Sequence, residues 1–282
     1  MAAVDGTPRR HFIIPDTQTR PGVPLDHLDW IGQSILHYRP DVIVHLGDHW
    51  DFPSLNGHEE PGSAPLENKR YADDLAVGNE AFVRLCAPME ADINRRETKH
   101  RKKWRPRKVF ITGNHEVRAD RVAENNPKFL GTIGSDKCDI RDWERHPFLE
   151  VVNIDDILYS HYFQSSHSAR PIGGNVPNRL TKIGASFVQG HQQGLDMGTK
   201  LMGNGKTWWG IVAGSCYTHI ENYRGAQGQR HWRGVMILNE VENGEFCPMP
   251  LTLDYLCRKY TGMRLAHYHR AKYPNGNWDH LA

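Results

Sequence analysis

The residues best suited to chemistry in this chain are acids, amides and histidines that directly follow short apolar runs. The run from Val42 to His45 is followed by Gly47, Asp48 and Asp51. Its β-branched residues predict a buried strand, and the glycine lets the backbone turn sharply after it. Open α/β sheets bind ligands beyond the carboxyl ends of their strands, so Asp48 is a candidate metal ligand. Taken alone, the segment is also consistent with an ordinary strand that ends in an aspartate-rich turn.

Four further predicted strands end in the same way, and this repetition carries the argument. Each offers a carboxylate, an amide or an imidazole just after an apolar run: Asp16 and Gln18, Asn114 and His115, His161, and His191 with Gln193. Oxygen and imidazole ligands of this kind suit two adjacent divalent ions. The sequence therefore predicts that five strand ends converge on one metal site.

In this order, the blocks resemble the motifs of the calcineurin-like metallophosphoesterases, which run D-x-H, G-D-x-x-D, G-N-H-[DE], a single His and then G-H-x-H. The matching residues in this chain are Asp16, Gly47-Asp48 with Asp51, Gly113-Asn114-His115-Glu116, His161 and Gly190-His191. They span roughly two thirds of the chain, and together they are more specific than any single motif. The resemblance implies an α/β fold, a four-layer α-β-β-α sandwich of two mixed sheets flanked by helices.

The resemblance also implies a role for each matching residue. The ligands of a first ion correspond to Asp16, Gln18 and Asp48, with Gln193 at the position of the last histidine of the final block. The ligands of a second ion correspond to Asp48, Asn114, His161 and His191. A hydroxide that bridges the two ions would attack phosphorus in line. His115 would bind the phosphate and protonate the leaving oxygen, while Asp51 would orient the ring of His115.

Two residues depart from the family pattern, and both fall on the first ion. Gln18 and Gln193 stand where the family usually has histidines. Because oxygen donors suit harder ions, we expect two divalent ions with Mn²⁺ favoured over Mg²⁺, Fe²⁺ or Zn²⁺. The alternatives are a first site that fills only with substrate, or a degenerate first site on a non-catalytic phosphate-binding module. The same glutamines make the chain look like metallophosphoesterases found in tailed-phage genomes.

The residues after Asp51 bear on the substrate. Protein phosphatases of this superfamily continue the second block with Arg-Gly, and that arginine grips the phosphoryl group, whereas Phe52-Pro53 stands here. A monoester dianion needs such compensating charge more than a diester does. We therefore expect a phosphodiesterase that acts on nucleic acid or a nucleotide, with a phosphomonoesterase as the alternative. His49 is close enough in sequence to bind the phosphate, and a surface role fits it equally well.

A long helix is predicted over residues 66 to 103, and its far end is strongly basic. Nine of the fourteen residues from 95 to 108 are Lys or Arg. Trp104 could stack on a base. The densest part of the run could bind along the phosphate backbone of DNA or RNA, and it consists of Arg101, Lys102 and Lys103. A solvated helix end, whose cations complement the helix dipole, explains the same pattern.

The remaining sequence indicates one domain, residues 1–282, with a basic helical insertion at about 66–107 and a loosely held tail from about residue 264. Predicted hairpins over 148–161, 195–214 and 235–253 indicate a second, largely antiparallel sheet. No apolar run approaches membrane-spanning length and residues 1–10 hold no signal segment, so we expect a cytoplasmic protein, in the host cytoplasm if it is phage-encoded. The five cysteines lack C-x-x-C spacing, which argues against a disulfide framework. No pattern indicates the oligomeric state.

Overall fold

The computed structural model describes residues 7–57, 63, 66–99, 104–221, 224–225 and 227–282. These residues form two mixed β-sheets and six α-helices, which confirms the prediction of an α/β sandwich. The helices are α1 (Asp26–Tyr38), α2 (Tyr71–Thr98), α3 (Val117–Asn125), α4 (Val176–Ile183), α5 (Leu253–Thr261) and α6 (Leu265–Lys272). No helix in the described ranges combines the length and the hydropathy that a membrane crossing requires.

The first sheet contains six strands in the spatial order β11-β10-β1-β2-β3-β4. Their bounds are β1 (Arg9–Ile14), β2 (Val42–His45), β3 (Arg107–Ile111), β4 (Glu144–His146), β10 (Gly234–Glu242) and β11 (Glu245–Thr252). The strands β1 to β4 are parallel, while β10 pairs antiparallel with both β1 and β11. The parallel strands therefore deliver the loops after β1, β2 and β3 to one edge of the sheet.

The second sheet contains five strands in the order β5-β6-β7-β9-β8. Their bounds are β5 (Val152–Ile154), β6 (Ile157–Ser160), β7 (Phe187–Gln189), β8 (Leu195–Leu201) and β9 (Thr207–Ala213). The prediction of a largely antiparallel second sheet is wrong in two respects. Strands β6 and β7 are parallel, because α4 forms a crossover between them, and β9 is parallel to β7. The β10–β11 hairpin joins the first sheet.

The two sheets pack face to face, and alternation along each strand separates the layers. In β1, Ile13 lies in the apolar layer shared with Val188 and Ile211 of the second sheet. Its neighbours Phe12 and Ile14 face the opposite way, into a layer with α1, α2 and α5. The outer face of the second sheet packs on α4 through a smaller apolar cluster. This period of two is what a sheet buried on both faces requires.

Helix α2 is shorter than predicted and belongs to the core layer. It runs from Tyr71 to Thr98, and Phe82, Leu85 and Met89 are buried against the first sheet and α1. The predicted substrate-binding cations lie outside the described residues: Arg101, Lys102 and Lys103.

Five described cations of the basic run make ion pairs: Arg95, Arg96, Arg105, Arg107 and Lys108. Arg95 and Arg96 both contact Asp92, at 2.5 and 2.6 Å. Downstream, Arg107 pairs with Glu144 at 2.8 Å. The prediction that Trp104 stacks on a base is not favoured by its contacts, because its indole N–H donates to Pro40 and Arg39 covers its ring at 5.7 Å. These contacts are those of packed and ion-paired side chains on either side of residues 100–103.

The residues from 264 onwards include helix α6 and a final 3-10 turn, and their contacts do not favour the prediction of a loosely held tail. Helix α6 buries Leu265 and His269. Lys272 contacts the carboxylate of Asp26 at 2.5 Å, and the hydroxyl of Tyr273 donates to the same carboxylate. Periodicity did not reveal this segment, because a few polar and aromatic anchors hold it instead of an apolar stripe.

Candidate metal centre

The predicted ligands lie at the edge of the sandwich where β1, β2, β3, β6 and β7 end. Gly47 and Asp48 follow β2 with φ angles of 93° and 50°, in the left-handed region. A Cβ atom on Gly47 would lie 2.6 Å from the backbone nitrogen of Gly113, so glycine is required for the close approach of these two loops. The approach lets Oδ1 of Asp48 accept the backbone N–H of His115 at 2.9 Å.

Four side chains meet at the position that the resemblance assigns to the second ion. Asp48, His161 and His191 place ligand atoms within 4.8 Å of one another. The amide oxygen of Asn114 lies 2.8 Å from Nε2 of His161 and 2.8 Å from Nδ1 of His191. Nδ1 of His161 donates to the backbone oxygen of Leu46 at 2.7 Å, which turns Nε2 towards the group. Their donor types suit a divalent ion.

The electrostatics of this group favour a cation. Oδ1 of Asp16 accepts the backbone N–H of His191 at 3.0 Å, whereas Oδ2 is buried with no hydrogen-bond partner among the described residues. Burial and the charge of Asp48 raise the pKa of Asp16 to about 7. Burial lowers the pKa of His161, but the charge of Asp48 outweighs it and raises that pKa to about 9. Two buried carboxylates this close require positive charge, so the residues present fit divalent ions.

The position assigned to the first ion is built differently. Asp16 and Gln18 follow β1 and are fully buried, and Gln18 has a φ angle of 40°. Oε1 of Gln193 accepts the hydroxyl of Tyr217 at 2.7 Å and Nη1 of Arg224 at 2.7 Å. The structure thus brings the predicted ligand Gln193 to the centre, with its oxygen already bound to two protein donors.

His115 and Asp51 form a hydrogen-bonded pair beside the carboxylates. Nδ1 of His115 donates to Oδ1 of Asp51 at 2.7 Å, and Nε2 lies 3.7 Å from Oδ2 of Asp48. Nη2 of Arg118 lies 3.2 Å from the same Nε2. Burial lowers the pKa of His115, but the charges of Asp48 and Asp51 outweigh it and raise that pKa above the ordinary value. A histidine oriented by a carboxylate, with its other nitrogen beside the metal ligands, is suited to act as a general acid.

Asp51 is held in place by further charged groups. Nη1 of Arg20 lies 2.7 Å from Oδ2 of Asp51 and 3.0 Å from Oε2 of Glu221. Nη1 of Arg118 donates to the backbone oxygen of Asp51 at 2.8 Å. Burial raises the pKa of Asp51, but His115, Arg20 and Arg118 together hold it below the ordinary value. The carboxylate that orients His115 therefore stays ionised and fixed.

Glu116, the last residue of the third motif block, organises the backbone of the centre. Its buried carboxylate accepts the N–H groups of Asp48 at 3.0 Å, His49 at 2.6 Å, Trp50 at 3.0 Å and Gly113 at 2.8 Å. Buried backbone donors left without partners are costly, so this carboxylate ties the loop after β2 to the loop after β3.

A cleft of about 790 Å³ opens over the centre, and Asp48, Asn114, His115 and His191 line one part of it. Basic side chains on its walls are Arg20, Lys69, Arg70, Arg118 and Arg224. A cleft of this volume is large enough for a nucleotide-sized ligand.

His49 does not line the cleft, so its placement does not favour the prediction that it binds substrate. Its ring is fully buried, with Nδ1 at 2.7 Å from the hydroxyl of Thr17 and Nε2 donating to the oxygen of Gly78 at 3.1 Å. Burial lowers its pKa to about 3, so the ring stays neutral. The turn after Asp48 directs this side chain towards α2 instead of towards the metal ligands.

Sequence reasoning missed the long segment 214–233 between β9 and β10, which carries Tyr217, Glu221 and Arg224 to the centre. It contains none of the family motifs. Its one available signal was its length without a strand or helix predicted from the sequence, because such long loops in compact domains are usually functional.

No protein-family model matches the chain, and no curated protein matches it either. The functional interpretation therefore depends on the residues and on their geometry.

Proposed function

We propose that this protein is a divalent-metal-dependent phosphoric ester hydrolase with the sandwich fold of the calcineurin-like phosphoesterases. The observation that supports this most is the convergence of Asp48, Asn114, His161 and His191 beside the His115–Asp51 pair. These residues come from four separate strand ends. A purely structural role gives no reason for acids, an amide and imidazoles to meet at one edge.

Divalent ions at such a centre, with Mn²⁺ favoured, activate water and stabilise charge that develops on the phosphoryl oxygens. The chain's own residues have separate tasks. Asp16 and Asp48 supply the negative charge that holds the ions. Because Nδ1 of His115 donates to Asp51, Nε2 is the nitrogen that faces the metal ligands and would deliver a proton to the leaving oxygen. Asp51 fixes the ring in the orientation for this transfer.

The substrate expected from sequence is a phosphodiester in nucleic acid or a nucleotide. The described part of the basic run gives this little support. Arg107 lies at the start of β3, about 13 Å of extended chain from the end of the strand at Ile111, and Asn114 follows that end. A phosphomonoesterase is the second candidate. It is favoured by Arg118, which lies 3.2 Å from His115 and supplies the cation that Phe52-Pro53 lacks.

A substrate screen tests the proposal. The purified protein would be assayed with Mn²⁺, Mg²⁺, Fe²⁺ or Zn²⁺ on p-nitrophenyl phosphate, bis(p-nitrophenyl) phosphate, and single- and double-stranded DNA and RNA. We expect metal-dependent hydrolysis of at least one ester, abolished in Asp48→Asn. Metal or phosphate binding without turnover of any substrate would instead identify a non-catalytic binding module.

A further inference from the structure

We propose that Arg224 couples phosphate binding to occupancy of the first ion position: the free protein holds one divalent ion tightly, and phosphate draws Arg224 away from Gln193 so that a second ion can bind. This inference rests on the proposed function, since it concerns the same centre. It assigns to Arg224 a role that no motif of the chain indicates.

The first step of the argument is the hydrogen bonding of Gln193. An amide oxygen has two lone pairs, and here Tyr217 and Arg224 each donate to it at 2.7 Å. Gln193 can therefore coordinate an ion through this oxygen only if at least one donor leaves. The second ion position differs, because the two nitrogens beside the amide oxygen of Asn114, Nε2 of His161 and Nδ1 of His191, are themselves ligand atoms. An ion there displaces a proton and no side chain has to leave.

The second step is the charge of Arg224. Its described hydrogen bonds go to neutral acceptors, Oε1 of Gln193 and the backbone oxygen of Gly228 at 3.1 Å. A guanidinium that is not neutralised by a carboxylate repels a nearby dication. Arg20 differs in this respect, because Asp51 and Glu221 both contact it. Arg224 thus opposes an ion at the first position, and Arg20 does not.

The third step is where Arg224 can go. The side chain lines the cleft over the metal ligands, so it can reach a phosphoryl group bound there. Guanidinium binds phosphate through two parallel charge-assisted hydrogen bonds, which are stronger than one bond to a neutral amide. The backbone can stay in place during this change, because Gln229 holds the segment through the backbone N–H of Glu221 at 3.2 Å. Phosphate then removes both the repulsion and one donor from Gln193.

Mn²⁺ binding tests the coupling without an activity measurement. The protein would be titrated with Mn²⁺, with and without inorganic phosphate, by calorimetry and by electron paramagnetic resonance, which distinguishes isolated from exchange-coupled Mn²⁺. For the unmodified protein we expect one Mn²⁺ to bind tightly at the second ion position. The affinity of the first ion position should rise about fivefold or more when phosphate is added, which is the usual range of coupling between two binding sites. Two equally tight ions without phosphate would overturn the proposal.

Three variants assign the effect to Arg224. Arg224→Gln should bind the Mn²⁺ at the first ion position about tenfold more tightly without phosphate, since the repelling charge is gone. The affinity of this position should then no longer depend on phosphate. Arg224→Lys keeps the charge and should keep the weak first position. Arg264→Gln, at an exposed arginine directly before α6, is the matched control and should behave as the unmodified protein.

The outcomes also separate this inference from the proposed function. Phosphate-dependent Mn²⁺ binding without turnover would support the coupling and contradict the hydrolase. Hydrolysis with an unchanged phosphate dependence in Arg224→Gln would support the hydrolase and contradict the coupling.

Discussion

The two ends of the candidate metal centre are built from the same kind of strand ends, yet they present their proposed ligands differently. At the second ion position, Asp48, His161 and His191 lie within 4.8 Å of one another. At the first, Gln193 is bound by Tyr217 and Arg224. The motif residues come from loops that directly follow strands, whereas Tyr217 and Arg224 come from the long segment 214–233. Strand ends therefore determine which residues meet, and a loop without motifs determines what they can bind.

The largest expected effect is at Asp48, which the proposed function assigns to both ion positions. Asp48→Asn should lose both ions and lower the hydrolysis rate by more than about four orders of magnitude, because it removes the charge that holds the ions together. Metal content and rate would be measured on the same preparation. Asp279→Asn, at an exposed carboxylate, is the matched control. Loss of a single ion in Asp48→Asn would show that the two positions do not share this ligand.

The next effect separates chemistry from metal binding. His115→Ala should keep the metal content and lower the rate by about two to four orders of magnitude, as expected when a positioned proton donor is removed. Nitrophenolate leaves without a proton, so the deficit should be smaller on a nitrophenyl ester than on a nucleotide ester. Equal deficits on both esters would assign His115 to phosphate binding instead of to proton transfer.

Glu116 allows a test of the scaffold that serves the second ion position. Glu116→Ala removes the acceptor of four backbone N–H groups and should lower the free energy of unfolding by about 3–5 kcal/mol. Urea denaturation in the absence of metal measures this change. Glu124→Ala, on the exposed side of α3, is the control, with an expected change within about 0.5 kcal/mol. Equal stabilities would mean that other groups hold the loops after β2 and β3.

A smaller effect is expected at Arg20, which acts on His115 only through Asp51. Arg20→Gln should lower kcat about tenfold with unchanged metal content, because Asp51 loses its anchor and faces Glu221 directly. Arg20→Lys should recover part of kcat, since it restores the charge between the two carboxylates. A change in KM alone would instead indicate that Arg20 binds substrate.

These comparisons show what the sequence could and could not reveal. Apolar runs that end in Gly, Asp or His predicted the strands and their convergence, because register and burial follow from local pattern. The orientation of the His49 side chain could not be predicted from local pattern, since it depends on how the loop after β2 packs against Phe82 and Gly78. The contacts of Gln193 depend on Arg224, which is 31 residues away. Long-range partners of this kind leave no periodic signal.

The smallest expected effect is on the metal affinity of the first ion position when Gln18 is replaced by the histidine that is usual in the family. Gln18→His supplies an imidazole, a better donor than an amide oxygen for borderline ions, and histidine tolerates the left-handed backbone at φ 40°. Alone, it should tighten that ion only a few fold and shift it towards Zn²⁺, because Arg224 still repels the ion and occupies Gln193. Gln164→His, at an exposed glutamine, is the control.

Combining Gln18→His with Arg224→Gln sharpens this last prediction into a double-mutant cycle. If Arg224 lowers the affinity of the first ion position for Mn²⁺, the gain in affinity of the double variant should exceed the sum of the two single gains. The new imidazole acts fully only after the repelling charge is removed. Calorimetric titrations of the four proteins give the coupling directly. Strictly additive effects would mean that the amide of Gln18 lowers the Mn²⁺ affinity of the first ion position independently of Arg224.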